Sequence, residues 1–542
     1  MKRSSWVVAT LVAALAAVVC GAMWALSSPV GSSPDDNYHQ ATIWCVGATE
    51  DSAASTCQVV GEAEETGGRV VELPALVAAP NCYAFQPAES AACQKPLRGE
   101  VTRTEAVDNG DYPGGFYRVM HLLVRDSIPE SILAMRVFNV VLGVVLLGAV
   151  ALVATASVRR LMALTLTPVL IPLGWFILAS VNPSSWALSG LTCYGFALHT
   201  FFSTPHPRRR IAAGVLAGLG LLVALSARGD APAYAGVVTV ALCLLHWRVL
   251  WARRALVVLP VLVALVCAWR LLGASQVASI AGASAETERS LSEVVPNLLL
   301  EFPALFSGMF GYAFGLGWLD TSVSAVTAYP VALVIGFLGL TGLGRLSWPK
   351  AAAAVLIFLP MLVLPLMTLY RTRLIVGETV QPRYILPLMP ILLAVLLVDR
   401  TAERSLSISR VQAVVIAVAL TVANAAAIYA NARRYVTGID GPLLIDDLEW
   451  WWQSAPPPGT VAVVGGVAFA VFAAALVATN WRPPVEAVAA PEPVREPERA
   501  VVTEPQSGPA APATTPAPAD PSPTQARTPS QTQTQTETQE AR

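Results

Sequence analysis

Charged residues are scarce in this 542-residue chain, where Asp, Glu, Lys and Arg make up 13% and hydrophobic residues make up 55%. A soluble protein of this length needs a far larger charged surface, so the composition excludes that class. The net charge of −1 says little about partners, and we expect no nucleic acid among them. The chain also has no CxxC pair, which argues against a structural metal site, and no internal repeat is visible.

Long apolar runs recur along the chain instead. A bilayer core about 30 Å thick needs roughly 20 apolar residues for each helical span. The runs predict an all-α polytopic membrane protein with about 12 transmembrane helices. The predicted spans are 5–26, 131–156, 161–180, 184–203, 211–227, 231–250, 255–273, 324–344, 351–370, 384–399, 411–430 and 460–479.

The distribution of Lys and Arg predicts the orientation of these spans, because short cytoplasmic loops are enriched in both residues. Sixteen Lys and Arg residues lie in the short loops and helix ends on the same side as the N-terminus, and eight lie on the opposite side. We therefore expect a multi-pass protein of the plasma membrane with both termini in the cytoplasm. The first run also fits a cleaved signal peptide, but residues 6–26 exceed the usual apolar region of about 7–15 residues, which favours a retained helix.

A polar stretch at 27–130 separates the first two spans and is expected to be extracytoplasmic. It contains Cys45, Cys57, Cys82 and Cys93, and an even number of cysteines in one exported loop predicts disulfides. Four cysteines allow three connectivities, of which the local pairing of 45 with 57 and 82 with 93 is the simplest. The other four cysteines fall within spans, where we expect small buried hydrophobic residues.

The spans form two blocks, 131–273 and 324–480; two further regions lie outside these blocks and a third lies within the second block. Residues 274–323 contain an apolar stretch interrupted by Glu301, Pro303 and several glycines, which predicts a re-entrant or interfacial region. The segment 441–459 contains WWW beside acidic residues and predicts a short interfacial helix. Residues 481–542 are rich in Pro, Ala, Thr, Glu and Gln, which predicts a disordered cytoplasmic tail.

Ionisable and polar groups near the membrane mark functional sites more often than surface charges do. In this chain they collect at the extracytoplasmic ends of the spans. An aspartate there can act as a general base toward a hydroxyl group, and an arginine matches phosphate geometry through bidentate hydrogen bonds. The candidates are Asp35 and Asp36 as catalytic acids, with His39, Arg136, Asn182, Arg228, Asp320 and Arg383 as substrate-binding residues.

Each candidate also has a structural interpretation. Asp35 and Asp36 follow Ser-Ser-Pro and are compatible with capping a helix that begins near Asn37. His39 is compatible with a hydrogen-bonding role, and Asp320 with a turn. Arg136 is compatible with snorkelling, in which the side chain extends toward the membrane interface.

The order of several short motifs resembles a bacterial membrane-protein family catalogued as domain of unknown function 2142. The motifs are SSPDDNYHQATIWC, MRVFNVVLG, NPSSWALSG, FGLGWLDT and QPRYILPLMP, and the likeness covers residues 1 to about 480. That family is similar in layout to glycosyltransferases of the C-type membrane fold, which use polyprenyl-phosphate sugars. The resemblance implies that Asp35 or Asp36 occupies the catalytic acid position, with Asp-Asp in place of the usual Asp-Glu.

We therefore expect a membrane glycosyltransferase that moves a sugar from a polyprenyl-phosphate donor to an envelope glycan, glycolipid or protein. No cofactor is demanded, although adjacent acids leave open a divalent cation, Mg²⁺ or Mn²⁺. Two other classes fit the composition: a transporter or flippase for lipid-linked glycans, and a membrane scaffold. Transporters place polar groups near the midplane and often have related halves, and neither feature is evident in this sequence.

Overall fold

The structure is a computed structural model that is 69% helix and 4% strand, which confirms the predicted helical fold class. It describes residues 3–64, 68–272, 285, 287–344, 346–378, 380–398, 408–443, 445, 450–452 and 455–481. The predicted tail, from residue 482 onward, lies outside the described residues.

Each of the twelve predicted spans coincides with a helical segment in the described part of the chain. Their bounds differ from the predicted ones by a few residues. The helices are Arg3–Leu26, Ile128–Val153, Ala156–Val169 with its continuation Trp175–Leu178, Ser184–Ser203, Pro207–Leu225, Ala231–Leu245, Val258–Leu272, Ala325–Leu343, Trp348–Thr372, Met389–Leu397, Arg410–Val436 and Pro458–Asn480.

Eight helices among the described residues are long and apolar enough to cross a membrane, and two shorter apolar helices accompany them. The helix Ser184–Ser203 is buried along nearly its whole length, so it forms the centre of the bundle. It packs closely on the helix Pro207–Leu225 at Gly190 and Gly220. A Cβ atom on Gly190 would lie only 2.6 Å from the carbonyl oxygen of Gly220. The two helices approach this closely because neither residue has a side chain.

Residues 27–127, here called the loop domain, contain a small sheet that the sequence analysis did not predict. Its strands are β1 (Gln58–Glu62), β2 (Arg69–Pro74) and β3 (Val101–Thr104), paired antiparallel in the order β1-β2-β3. Around the sheet lie the helices Asp36–Trp44, Ala75–Ala78 and Gly115–His121 and the 3₁₀ helix Ala91–Leu97. Disulfides join Cys45 to Cys57 and Cys82 to Cys93, the local pairing expected from the sequence.

The loop domain shares a hydrophobic core with one end of the helix bundle, here called the loop face. Phe116 of the loop domain packs edge-on against Trp186 of the bundle, with ring centroids 5.4 Å apart. Trp452 is buried in the same core. The predicted interfacial helix does not extend through Trp450–Trp452, which have no helical structure, and residues 446–449 lie outside the described residues. Packing on the loop domain thus accounts for the burial of Trp452.

The predicted re-entrant or interfacial region contains one long helix, Leu291–Ser307. Its Leu299 and Leu300 are exposed, whereas Phe302 and Leu305 are buried. Beyond it, Leu316 and Thr321 form an antiparallel bridge that closes a tight turn. Residues 273–284 and 286 of this region lie outside the described residues.

We predict that Gly190→Ala destabilises the bundle. The new Cβ would overlap backbone atoms of the neighbouring helix, which cannot rotate away, and overpacking of this kind costs about 1–3 kcal/mol. The thermal midpoint of the purified protein in detergent, followed by fluorescence size-exclusion chromatography, should fall. Gly236→Ala is the matched control, because a Cβ there meets nothing within 4 Å. Equal midpoints for both variants would contradict the close contact.

Candidate functional site

A buried arginine organises the segment that leads to the two adjacent acids. Arg136 is fully buried, and its guanidinium donates to the carbonyl oxygens of Ala25, Ser28 and Pro29 at 2.6–3.1 Å. It also donates to the Ser32 hydroxyl at 3.0 Å. Because these acceptors lie on one short segment, the arginine fixes the turn that follows the first helix. The guanidinium therefore faces this segment inside the protein.

Asp36 stands at the first position of the helix Asp36–Trp44 and is fully buried. Its carboxylate accepts hydrogen bonds from the backbone N–H of Ser33, at 3.1 Å, and from the Ser33 hydroxyl. The Arg136 guanidinium lies 4.0 Å away. Burial raises the pKa of Asp36 to about 6, although Arg136 and Ser33 act in the opposite direction. Both oxygens of the Asp36 carboxylate are therefore engaged by groups inside the protein.

Asp35 differs from its neighbour in backbone, exposure and partner. Its φ of 65° places it in the left-handed region, which is unusual for a residue with a side chain. Its side chain makes no capping bond to the helix, so the capping interpretation does not describe it. The carboxylate pairs with Arg383 and is 44% exposed. Burial alone would raise the pKa of Asp35, but the positive charge of Arg383 and its hydrogen bond lower it below the ordinary value.

The backbone just before Asp35 is held from two distant parts of the chain. The buried Arg383 donates from Nη1 to the Pro34 carbonyl at 2.9 Å. Asn182 donates from Nδ2 to the same oxygen at 3.0 Å. Both side chains start short segments that enter bundle helices, so the bundle sets the position of Asp35. This anchoring supports the left-handed conformation, since strained residues persist where their surroundings over-determine them.

A second arginine lies beside this pair. Arg228 donates to both carboxylate oxygens of Asp230 at 2.7 and 2.9 Å, and to the Ser184 hydroxyl at 3.2 Å. Its guanidinium lies 4.9 Å from the ring centre of Tyr384, and that of Arg383 lies 5.3 Å from the same centre. The charge of Arg228 contributes to lowering the pKa of Asp35. Two guanidinium groups thus flank one aromatic ring near the exposed carboxylate.

His39 is buried in a group of aromatic side chains next to Asp35. Its Nδ1 lies 2.9 Å from the Tyr117 hydroxyl, and Tyr38 and Tyr112 contact its ring edge-on. Burial lowers the pKa of His39 to about 3, with further lowering by Arg383 and Arg228 and an opposing effect of Asp35. The ring is therefore neutral at physiological pH. This geometry favours the hydrogen-bonding interpretation of His39.

Asp320 belongs to a different cluster. Its carboxylate accepts from Arg434 at 2.9 Å and from the backbone N–H of Phe85 at 3.1 Å. Arg434, which is fully buried, also donates to the carbonyl oxygens of Tyr83, Gln86 and Glu89. This cluster attaches the disulfide-closed segment 82–93 to the helix Arg410–Val436.

The structure therefore groups four of the predicted residues, Asp35, His39, Arg228 and Arg383, and adds Tyr384 and Tyr112, which sequence analysis missed. Tyr384 follows Arg383 directly in QPRYILP, so its position was a usable signal. Tyr112 lies in the middle of the loop domain in DYPGGFY, where no spacing relates it to the acids. Only the folded loop domain brings it beside His39.

The adjacent acids do not present a joint cation site, because each carboxylate has its own partners. Asp35 pairs with Arg383, whereas Asp36 accepts from Ser33 beside Arg136. Within the described ranges, no group of three or more His, Cys, Asp or Glu side chains is placed to hold a metal ion.

The fold and the site define a multi-pass membrane protein with a disulfide-bearing loop domain on one face of a helix bundle. The sequence profile of the family described as predicted membrane protein (DUF2142) matches residues 18–392. This match covers more than half of the chain, and the protein belongs to that family. No curated protein and no solved structure matches the chain.

We predict that Arg136→Gln lowers stability by about 3–5 kcal/mol, since it leaves buried carbonyl oxygens and the Asp36 carboxylate without their charged partner. The thermal midpoint in detergent measures this loss. Arg136→Gln combined with Asp36→Asn should recover part of it, because the unpaired buried charge is then absent. Arg103→Gln, at a side chain that is 70% exposed, is the control. An unchanged midpoint for Arg136→Gln would contradict this role.

Proposed function

We propose that the protein is a membrane glycosyltransferase that transfers a sugar from a polyprenyl-phosphate donor to an envelope glycan, glycolipid or protein. The proposal places the loop face on the outer side of the plasma membrane and both termini in the cytoplasm. One observation carries it: a half-exposed aspartate, Asp35, stands beside the buried Arg383 and close to Arg228 at the loop face. This combination offers a base for a hydroxyl group next to cations for a phosphate.

Asp35 is the better candidate for the base because its carboxylate is accessible. Asp36 is fully buried and bonded to Ser33, so a bound acceptor would have to displace the turn that Arg136 holds. In this proposal Asp36 is a positioning residue that stabilises the loop. Asp35 receives the acceptor proton, and its left-handed backbone directs the carboxylate toward Arg383 and away from the helix N-terminus.

The proposed reaction is a single inverting displacement. The acceptor oxygen attacks the anomeric carbon, its proton passes to Asp35, and the bond between that carbon and the phosphate oxygen breaks. The polyprenyl phosphate leaves with both bonding electrons, and Arg383 and Arg228 stabilise its negative charge. The donor phosphate competes with Asp35 for Arg383. Its arrival therefore weakens the ion pair, raises the pKa of Asp35 and makes the carboxylate a stronger base.

We predict that Asp35→Asn abolishes transfer whereas Asp36→Asn retains most of it. Loss of a general base costs about 10²- to 10⁴-fold in rate, while asparagine at position 36 can still accept from the Ser33 backbone N–H through its oxygen and donate from its amide nitrogen to the Ser33 hydroxyl. The measurement is the envelope glycan and glycolipid profile of a deletion strain. The strain is complemented with the wild type or either variant at matched membrane levels. Wild type and Asp36→Asn should restore the lost glycan, and Asp35→Asn should not.

Two results would contradict this proposal. If Asp35→Asn restores the profile, Asp35 is not the base. If deletion leaves every glycan and glycolipid unchanged, the protein does not transfer sugar to these acceptors, and transport or scaffolding becomes the better explanation.

We also predict a shift in the pH dependence of transfer. At donor concentrations well below saturation the rate reports the free enzyme, in which the lowered pKa keeps Asp35 ionised, so the wild-type rate should not fall until the pH drops below the ordinary aspartate range. Arg383→Gln removes the charge that offsets burial, so the pKa of Asp35 rises and the acid limb moves to higher pH. Membrane-fraction assays with each rate normalised to its own maximum measure this. An acid limb at the same pH in both proteins would contradict the proposed coupling.

A further inference from the structure

A cavity lies at the loop face, between the loop domain and the bundle. Its volume is about 460 Å³, within the range of about 300–1,000 Å³ that small-molecule sites occupy. The apolar part of its lining includes Leu26 at the end of the first helix and Leu133 near the start of the second span. The cavity is therefore at the level where the bundle meets the loop domain. Its lining shares no residue with the Asp35 cluster.

Two tryptophans line this cavity. Trp452 is buried and donates from Nε1 to the Leu26 carbonyl at 2.8 Å, which fixes its ring. Trp451 is half-buried and packs on Trp450 with ring centroids 4.3 Å apart. The Trp451 Nε1 atom is buried and has no hydrogen-bond partner among the described residues. Both tryptophans thus contribute aromatic side chains to the lining.

Exposed charged side chains complete the lining. Asp126 and Glu130 supply two carboxylates and Arg98 supplies one guanidinium. The net negative charge disfavours a phosphate-bearing headgroup, and Arg98 disfavours a simple cation. Carboxylates accept hydrogen bonds from hydroxyl groups, while the Arg98 guanidinium donates to oxygen atoms. This set of groups suits a neutral ligand that carries many hydroxyls.

We propose that this cavity binds a neutral saccharide. A pyranose ring has apolar C–H faces that match indole rings, and its hydroxyl edges match the two carboxylates and the guanidinium. The site is separated from Asp35 by the buried segment that Arg136 holds, since that guanidinium lies 6.0 Å from the Trp452 ring on one side and 4.0 Å from Asp36 on the other. The proposal concerns binding and does not depend on the transfer reaction.

The test is saturation-transfer difference NMR with the full chain in lipid nanodiscs. The saccharide probes are mannotetraose, chitotetraose and cellotetraose. Glycerophosphoethanolamine and glycerophosphoglycerol represent lipid headgroups. We expect transfer to at least one saccharide, and a signal at least fivefold weaker in the Asp126→Asn, Glu130→Gln double variant. These exposed isosteric changes leave the fold intact, whereas Trp451→Ala, which should also weaken the signal, removes packing.

Glu64→Gln is the matched control, because Glu64 is an exposed acid of the same loop domain that does not line the cavity. It should leave the saccharide signal unchanged. The proposal is overturned if none of the three saccharides gives a signal, or if the double variant binds as well as the wild type. It is also overturned if the headgroup compounds bind and the saccharides do not.

Discussion

The geometry of the loop face depends on one buried cation. Arg136 sits in the second membrane helix without solvent contact, where an unpaired charge would be prohibitively costly. The cost is offset by three backbone carbonyls, one hydroxyl and the nearby Asp36 carboxylate. All of these acceptors come from the last turn of the first helix and the segment that follows it. Satisfying one side chain therefore fixes the path of the chain up to the acidic pair.

This constraint gives the two adjacent acids different properties. Asp36 completes the partner set of the buried arginine and is removed from water. Asp35, the residue before it, has a left-handed backbone, is half-exposed and pairs with the buried Arg383. Neighbouring carboxylates of the same type thus acquire pKa shifts of opposite sign, up for Asp36 and down for Asp35. Burial dominates in the first case and the surrounding positive charges dominate in the second.

The Asp35 pair also connects regions that are remote in sequence. Arg383 precedes the helix Met389–Leu397, and Asn182 precedes the helix Ser184–Ser203, yet both donate to the Pro34 carbonyl. A shift of either helix would move the backbone that positions Asp35. The site is consequently a property of the whole bundle and not of the loop domain alone. The cavity lined by Trp451 and Trp452 is different, because its polar side chains come mainly from the loop domain and the start of one helix.

Much of the fold was predictable because its signals are local. Apolar runs of about 20 residues predict helices wherever they occur, and cysteines 11 and 12 residues apart favour local disulfides. The three short strands of the loop domain were missed, since each has only four to six residues and their pairing joins segments on either side of a helix. The Ser-Ser-Pro-Asp-Asp motif is compatible with capping of the following helix, but Asp35 makes no capping bond and pairs instead with Arg383, which is distant in the sequence.

The sequence by itself determined the class of protein and the positions of the long apolar helices along the chain. The length of each apolar run and its position in the sequence suffice for these properties, because each helix satisfies its own backbone hydrogen bonds in the membrane. Only the tertiary structure decided which aspartate is accessible, which arginines are structural, and where Tyr112, Tyr384 and Trp451 lie. Those outcomes depend on burial and on partners hundreds of residues away, which no local pattern in the chain encodes.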